Sequence, residues 1–459
     1  MLVGTMILLP DEAITEAELE ATKAPAGSKR RRRQRGFSRF LRILGPGIVT
    51  GAADDDPSGL ATYSQAGAQF GFALPWTMLF TYPLMTAVQE ACMRIGAVTG
   101  KGLAAVIREH YPAYVLYPVV GLVVVANTLN IGSDIGAMAA SMQLLVPLPF
   151  ALLAMIFAVV MLVLEVLVAY KTYVRILKWL AVALFAYPVT AFLVNVPWQE
   201  VLRATVTPRI VWSPEYLYIV VAIFGTTISP YLFFWQTSEV VEDEIAAHRL
   251  AQRGGVPKLT APYLRRLRID TALGMLFSNV TAWFVIVVGA VVLGAHGVTN
   301  IDSAADAAKA LEPLVDGFPN AGYIAKVVFA VGVIGIGLMS VPVLAGSSSY
   351  ALSETFNWNE GLFRKFKQAR QFYLVIIFGT LAGLVFNFIG LDPIKALIFT
   401  AVFNGLAAVP LIYLIARVSR RADVMGEHRS GWLSLAGLWI CFGVMAAAAV
   451  ALLVSIVRA

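Results

Sequence analysis

The sequence predicts an all-α polytopic membrane protein with about 11 transmembrane helices. Three observations carry this. The 459 residues are 59% hydrophobic and only 14% charged, whereas soluble domains hold about 25% charged residues. The mean hydropathy is +0.75. Apolar stretches near the ~20 residues needed to cross a bilayer recur along the whole chain. The same numbers exclude a soluble enzyme, a disordered chain, a collagen and a coiled coil.

Taken in order, residues 1–42 read as a cytoplasmic basic N-terminal tail. Its basic run, Lys29 to Arg33 with Arg35, either binds anionic lipid or fixes orientation. The expected spans lie near 44–70, 75–95, 113–144, 150–168, 174–196, 216–240, 270–294, 322–350, 372–389, 393–416 and 432–456. With the N-terminus inside, only Arg203, Arg209, Lys309, Lys326, Lys395 and Arg458 of the 35 basic residues fall outside. That bias places the N-terminus in the cytoplasm and the C-terminus outside, in the plasma membrane. It also accounts for the net charge of +7 without nucleic acid. The outer loop near 296–322 is acidic, through Asp302, Asp306, Glu312 and Asp316, and either concentrates cations or is simply solvated. Cys92 and Cys441 are too few for a disulfide scaffold, and the four histidines lack zinc-site spacing.

Two spans are interrupted. Span 1 reads Gly45-Pro46-Gly47 and then Asp54-Asp55-Asp56-Pro57-Ser58-Gly59; span 6 reads Gly225-Thr226-Thr227-Ile228-Ser229-Pro230-Tyr231. They open two blocks of five spans. An odd number of spans per block inverts the second relative to the first, the pattern of a transporter whose site lies between two broken helices. The division is 43–198 for the first repeat (spans 1–5), 199–418 for the second (spans 6–10) and 430–459 for an accessory span 11. The resulting class is the LeuT-like 5+5 inverted repeat with helices 1 and 6 broken.

The breaks also suggest the chemistry. Proline cannot donate a backbone hydrogen bond, so Pro57 is expected to free the carbonyl of Ala53, and Pro230 that of Thr226. Free carbonyls beside a carboxylate suit a hard cation. Charges inside a span are costly and usually functional. Consecutive helical residues point about 100° apart, so the aspartates cannot all face one ion, and Asp56 abuts the break. Asp55, Ser58, Gly59, Thr226 and Ser229 complete the expected metal set. Asp54, Asp134, Tyr231, Gln236 and Asn404 are pathway or supporting candidates; Asn404 reads equally as helix packing. Glu90 is expected near the inner surface. No nucleotide loop, nucleophile elbow or kinase motif is present, so neither an enzyme nor a bound cofactor is expected.

At these residues the sequence resembles the NRAMP family of divalent-metal transporters. Gly45-Pro46-Gly47 and Asp56-Pro57-Ser58-Gly59-Leu60-Ala61-Thr62 resemble the family's G-P-G and D-P-G-N-x-A-T. Gly96 to Ala104 resembles G-x-V-T-G-K-D-L-A, and Gly225 to Tyr231 resembles G-A-T-V-M-P-H. The resemblance implies that Asp56 and the Thr226 carbonyl bind the metal. It also locates departures. The family's Asn falls at Gly59, its Met at Ser229 and its His at Tyr231. An Asp persists as Asp134, and the Glu three residues on becomes Ala137. Loss of the soft thioether is similar to the NRAMP-related magnesium transporters. Loss of the His argues against proton coupling.

The expected function is a secondary transporter of Mg2+, accepting Mn2+, by alternating access without proton coupling. Two alternatives stand: a proton-coupled Mn2+/Fe2+ importer, and a sodium-coupled organic-solute carrier on the same fold. Expected partners are the divalent ion and the lipid bilayer, with no nucleic acid and no obligate protein.

Overall fold

The computed structural model describes residues 51, 54–167, 185–251, 255, 257–315, 318–390 and 392–458. The expected tail 1–42, residues 44–50, 52 and 53 of span 1, and residues 174–184 of span 5 lie outside them. Among the described residues the fold is wholly helical.

The helices are α1 (Pro57–Phe70), α2 (Trp76–Thr99), α3 (Leu103–His110), α4 (Ala113–Gln143), α5 (Phe150–Leu167), α6 (Ala186–Leu193), α7 (Trp198–Val206), α8 (Pro214–Thr227), α9 (Pro230–Ala246), α10 (Ala261–Val288), α11 (Ala304–Lys309), α12 (Ala321–Phe356), α13 (Arg370–Phe386), α14 (Pro393–Arg420), α15 (Ala422–Met425) and α16 (Trp432–Arg458). Seven segments are long and apolar enough to cross a membrane, and Arg370–Phe386 is a shorter apolar helix. Helix α2 stands where span 2 was expected, with Glu90 and Arg94 inside it. The expected start of span 7 at 270 is too late, because α10 begins at Ala261. Its first turns carry Arg265, Arg266 and Arg268, which mask a helix that continues past the apolar stretch. The short helices α3, α7 and α11 carry too few apolar residues to stand out in a hydropathy reading.

The broken pair α8–α9 forms the centre: its apolar window is 89% buried, against 22% for α16 and 33% for α5. Helix α12 packs along α4, and α8 packs along α14. Small residues permit the closest crossings, as expected where lipid removes the hydrophobic drive for association. A side chain at Gly225 of α8 would put its Cβ 1.9 Å from the Ala401 carbonyl oxygen and 2.3 Å from the Gly405 nitrogen of α14. Those are backbone atoms and cannot rotate away. Where α10 passes α1 it loosens into a π-helical turn, Gly289–Leu293. A Cβ on Gly67 of α1 would lie 2.1 Å from the Ile286 carbonyl oxygen.

Polar contacts fasten the edges. Glu90 is buried rather than solvated. It pairs with Arg94, with Arg268 of α10 at 3.1 Å and with Ser434 of α16 at 2.9 Å. The acidic loop near 296–322 is partly neutralised: Asp302 pairs with Lys395 at 3.1 Å and Asp306 with Lys309 at 2.8 Å. The Lys309 hydrogen bond holds the Asp306 carboxyl below the usual carboxylate range.

The Gly225 contact predicts that Gly225→Ala destabilises the purified protein by about 1–3 kcal/mol, the usual cost of overpacking. Gly121 of α4 meets nothing within 4 Å, so Gly121→Ala should be neutral or stabilising by up to ~1 kcal/mol. Thermal unfolding in one detergent would compare the two.

Candidate metal site

Asp56 is the last extended residue before α1, at φ −77° and ψ 169°, and Pro57 occupies the first helical position. Proline is tolerated there because the missing N–H would have no helical partner. Pro57 and Pro230 therefore sit at the start of a half-helix, not within one. At Pro230 the chain leaves its helix before the proline, so the ring does not meet the Thr226 carbonyl as it would inside a continuous helix. At span 6 the residues preceding Pro230 do this, Ile228 at ψ 61° and Ser229 at ψ 127°, consistent with the restriction proline places on its predecessor.

The Asp56 side chain caps α1. Its Oδ1 accepts the Gly59 N–H at 2.8 Å and the Ser58 hydroxyl at 2.6 Å. From α8 the Thr226 hydroxyl reaches Oδ1 at 3.4 Å, and from α9 the Tyr231 hydroxyl reaches Oδ2 at 3.4 Å. Ser58 and Thr226 are 3.4 Å apart. Two half-helices and the end of a third thus converge on one carboxylate that is 1% exposed. Gly59 faces the same space: an added Cβ would lie 3.0 Å from the Thr226 hydroxyl and 3.5 Å from Asp56 Oδ1. One turn on, Tyr63 bonds Thr227 at 3.0 Å. Thr227 gives its own proton to the Ile223 carbonyl, so Tyr63 is the donor and ties α1 to α8.

Helix α8 ends at Thr227, which leaves the Gly225 and Thr226 carbonyls without continuing helical partners. Ser229 takes both, its hydroxyl 3.1 Å from the first and 2.7 Å from the second. The Ser229 hydroxyl thus occupies one lone pair of the Thr226 carbonyl, and the carbonyl's second lone pair is left for a cation.

The aspartate triplet divides. Asp54 and Asp55 both turn to Ser278 of α10, at 2.8 and 3.0 Å. Asp54 Oδ1 and Asp55 Oδ2 are buried without a partner. Asp55 and Asp56 line a small cavity with Leu60, Tyr63, Thr281, Ala282 and Val285. Among the described residues no three His, Cys, Asp or Glu side chains converge as a metal-ligand group, so a cation here would rely on carbonyls, hydroxyls and water beside the carboxylate. No ion pair joins Asp54, Asp55 or Asp56 to a basic side chain among the described residues.

The remaining candidates scatter. Asp134 of α4 accepts the Ser340 hydroxyl of α12 at 2.7 Å and leaves Oδ1 unpartnered. Asn404 of α14 bonds Asn130 of α4 at 2.9 Å, the packing role rather than a reach to Asp56. Gln236 is buried on α9, beyond Tyr231. Sequence reasoning missed Tyr63, Ser278 and Ser340. Ser278-Asn279 is a polar pair in an otherwise apolar stretch of span 7, a signal that was present.

The family model described as natural resistance-associated macrophage protein-like matches residues 47–455. The chain is 28% identical over 406 residues to the divalent metal cation transporter MntH of Deinococcus radiodurans, covering 85% of each chain. It is 23% identical to MntH of Klebsiella pneumoniae, covering 88% of this chain and 92% of that one. Among solved structures, the Eremococcus coleocola manganese transporter in complex with an aromatic bis-isothiourea substituted compound superposes with a TM-score of 0.71 at 17% identity. It covers 94% of this chain and 88% of that one. MhsT in complex with L-phenylalanine gives 0.60 at 15% identity over 90% and 98% of the two chains. These likenesses show the fold, and the family match over nearly the whole chain shows the lineage: this chain is a member of the Nramp family.

Proposed function

We propose that the protein is a secondary transporter of divalent metal cations, with Mg2+ as its principal cargo and Mn2+ as a second. One observation carries the reading. The side chains in contact with the buried Asp56 carboxylate are Ser58, Thr226 and Tyr231, all oxygen donors. Oxygen alone suits Mg2+; thioether or imidazole would favour transition metals. Gly59 leaves room beside Asp56, which favours an ion that keeps part of its water shell.

Asp56 binds the ion directly, the Thr226 carbonyl joins through its second lone pair, and Asp55 supplies charge to the adjoining cavity. Asp54 and Asp134 support the path. The two blocks, 43–198 and 199–418, move against each other about the breaks, with 430–459 as an accessory helix. The N-terminus lies in the cytoplasm and the C-terminus outside the cell membrane. Inward movement needs no proton. Two charges crossing gain about 4.6 kcal/mol per 100 mV, and Tyr231 cannot relay protons near neutral pH as a histidine does.

The deciding experiment is uptake into proteoliposomes at an inside-negative potential, reading lumenal Mg2+ and lumenal pH together. Mg2+ entry without acidification, abolished by Asp56→Ala, is expected. Mn2+ entry with acidification and no Mg2+ entry would overturn the reading in favour of a proton-coupled transition-metal importer.

Two further outcomes follow from the geometry. Ser58 orients Asp56, so Ser58→Ala should weaken Mg2+ binding by about 10–100-fold, as loss of a ligand's supporting hydrogen bond does; calorimetry measures this. Ser229→Met, alone or with Gly59→Asn, should shift competition from Mg2+ toward Mn2+. The substitutions supply a soft ligand and fill the space that water would occupy. Unchanged competition would remove these positions from the selectivity argument.

A further inference from the structure

Helix α3 starts at Leu103, with Gly102 at the capping position in an extended conformation, φ −72° and ψ 168°. Glycine has no side chain to accept the first free N–H groups, which still need acceptors. The acceptor comes from the far end of α12. Glu354 Oε2 accepts the Ala104 N–H at 2.8 Å and the Ala105 N–H at 3.1 Å. Its Oε1 accepts the Ser238 hydroxyl of α9 at 2.9 Å. A Cβ on Gly102 would stand 1.7 Å from Glu354 Oε1, so the bare backbone at 102 is what admits the carboxylate. Arg108 of α3 donates to the Glu354 carbonyl and, at 3.3 Å, to Asn357. Glu354 is 3% exposed, and one carboxylate joins three helices.

This contact is the second of two rungs. In the first, the Ser347 hydroxyl of α12 donates to the Tyr231 carbonyl of α9 at 2.7 Å. Tyr231 and Ser238 are seven residues apart on α9, and Ser347 and Glu354 are seven apart on α12. Seven residues make two turns, about 10.5 Å, so both rungs lie on one facing stripe. The first rung belongs to the residue whose hydroxyl reaches Asp56. A polar ladder therefore runs from the candidate metal site to the start of α3.

We propose that Glu354 is a positioning residue of the transport cycle. It makes α3, α9 and the end of α12 into one strut, so that a displacement of α9 at the metal site is carried to α3 and to the segment joining spans 2 and 3. By the distribution of basic residues this is the cytoplasmic side. The proposal rests on Asp56 as the transport site.

The test separates capping from tying. Glu354→Ala removes both. Adding Gly102→Asp gives α3 its own cap, since an extended Asp at that position accepts from the first turn, but restores no link to α9 or α12. Wild type, E354A and G102D/E354A would be compared for melting temperature, for Mg2+ and Mn2+ binding by calorimetry, and for uptake of each ion into proteoliposomes. The expected result is that the double variant recovers the melting temperature lost in E354A and binds metal as wild type does. Both variants should still transport about tenfold more slowly. A double variant that transports at the wild-type rate would reduce Glu354 to a helix cap and overturn the proposal. Slow transport caused by lost metal binding would overturn it equally. Uptake that survives Asp56→Ala would instead defeat the metal-site reading, an outcome distinct from either.

Discussion

The arrangement depends on burying the Asp56 carboxylate inside a membrane protein with no basic side chain paired to it among the described residues. An isolated carboxylate moved out of water is expensive, and hydrogen bonds to the charged form are the available compensation where no counter-ion is built in. The N-terminus of α1 meets that need with the Gly59 backbone N–H and the positive end of the helix dipole. Ser58, Thr226 and Tyr231 add their hydroxyls. The breaks in spans 1 and 6 follow from the same requirement, because a continuous helix offers no free N–H groups at mid-membrane. A site stabilised in part by dipoles remains short of positive charge, which is what a cation-binding site in a cycling transporter requires.

The rest of the core can be understood as keeping those helix ends in place. Tyr63 and Thr227 join α1 to α8, Tyr63 lying about two turns along α1 from Asp56. The backbone contacts at Gly225 and Gly67 seat α8 on α14 and α1 on α10. Ser278 draws Asp54 and Asp55 toward α10, while Asp56 caps α1 and shares a small cavity with Asp55. Three adjacent carboxylates would repel one another strongly if they shared a single cavity. Turning two of them to another helix lets the chain hold the charge close to the cation without placing it all on the ion.

Much of this was legible in the sequence. Proline next to polar and small residues at mid-span marked both breaks, and the unbalanced Asp in an apolar run marked the carboxylate. The periodicity of apolar stretches gave the order of the spans. What stayed hidden was of two kinds. Helix ends beyond the apolar stretch, as at Arg265 to Arg268 of α10, continue by local hydrogen bonding that hydropathy does not register. Partners far apart in the chain leave no local mark: nothing near Ser278 announces Asp54, and nothing near Gly102 announces Glu354. The role of Ser229 was visible as a polar group at the break. That its hydroxyl would reach back to the Gly225 and Thr226 carbonyls depended on the backbone angles of Ile228 and Ser229, which no residue pattern specifies.

The captive glycine at 102 has an evolutionary corollary. A side chain at 102 would collide with the Glu354 carboxylate, and loss of that carboxylate strands the first turn of α3 without an acceptor. Each residue thus penalises change in the other, although 252 positions separate Gly102 from Glu354 in the chain. Within a lineage the two sites can drift only as a pair, and a family alignment should show them covarying as tightly as residues in direct sequence contact.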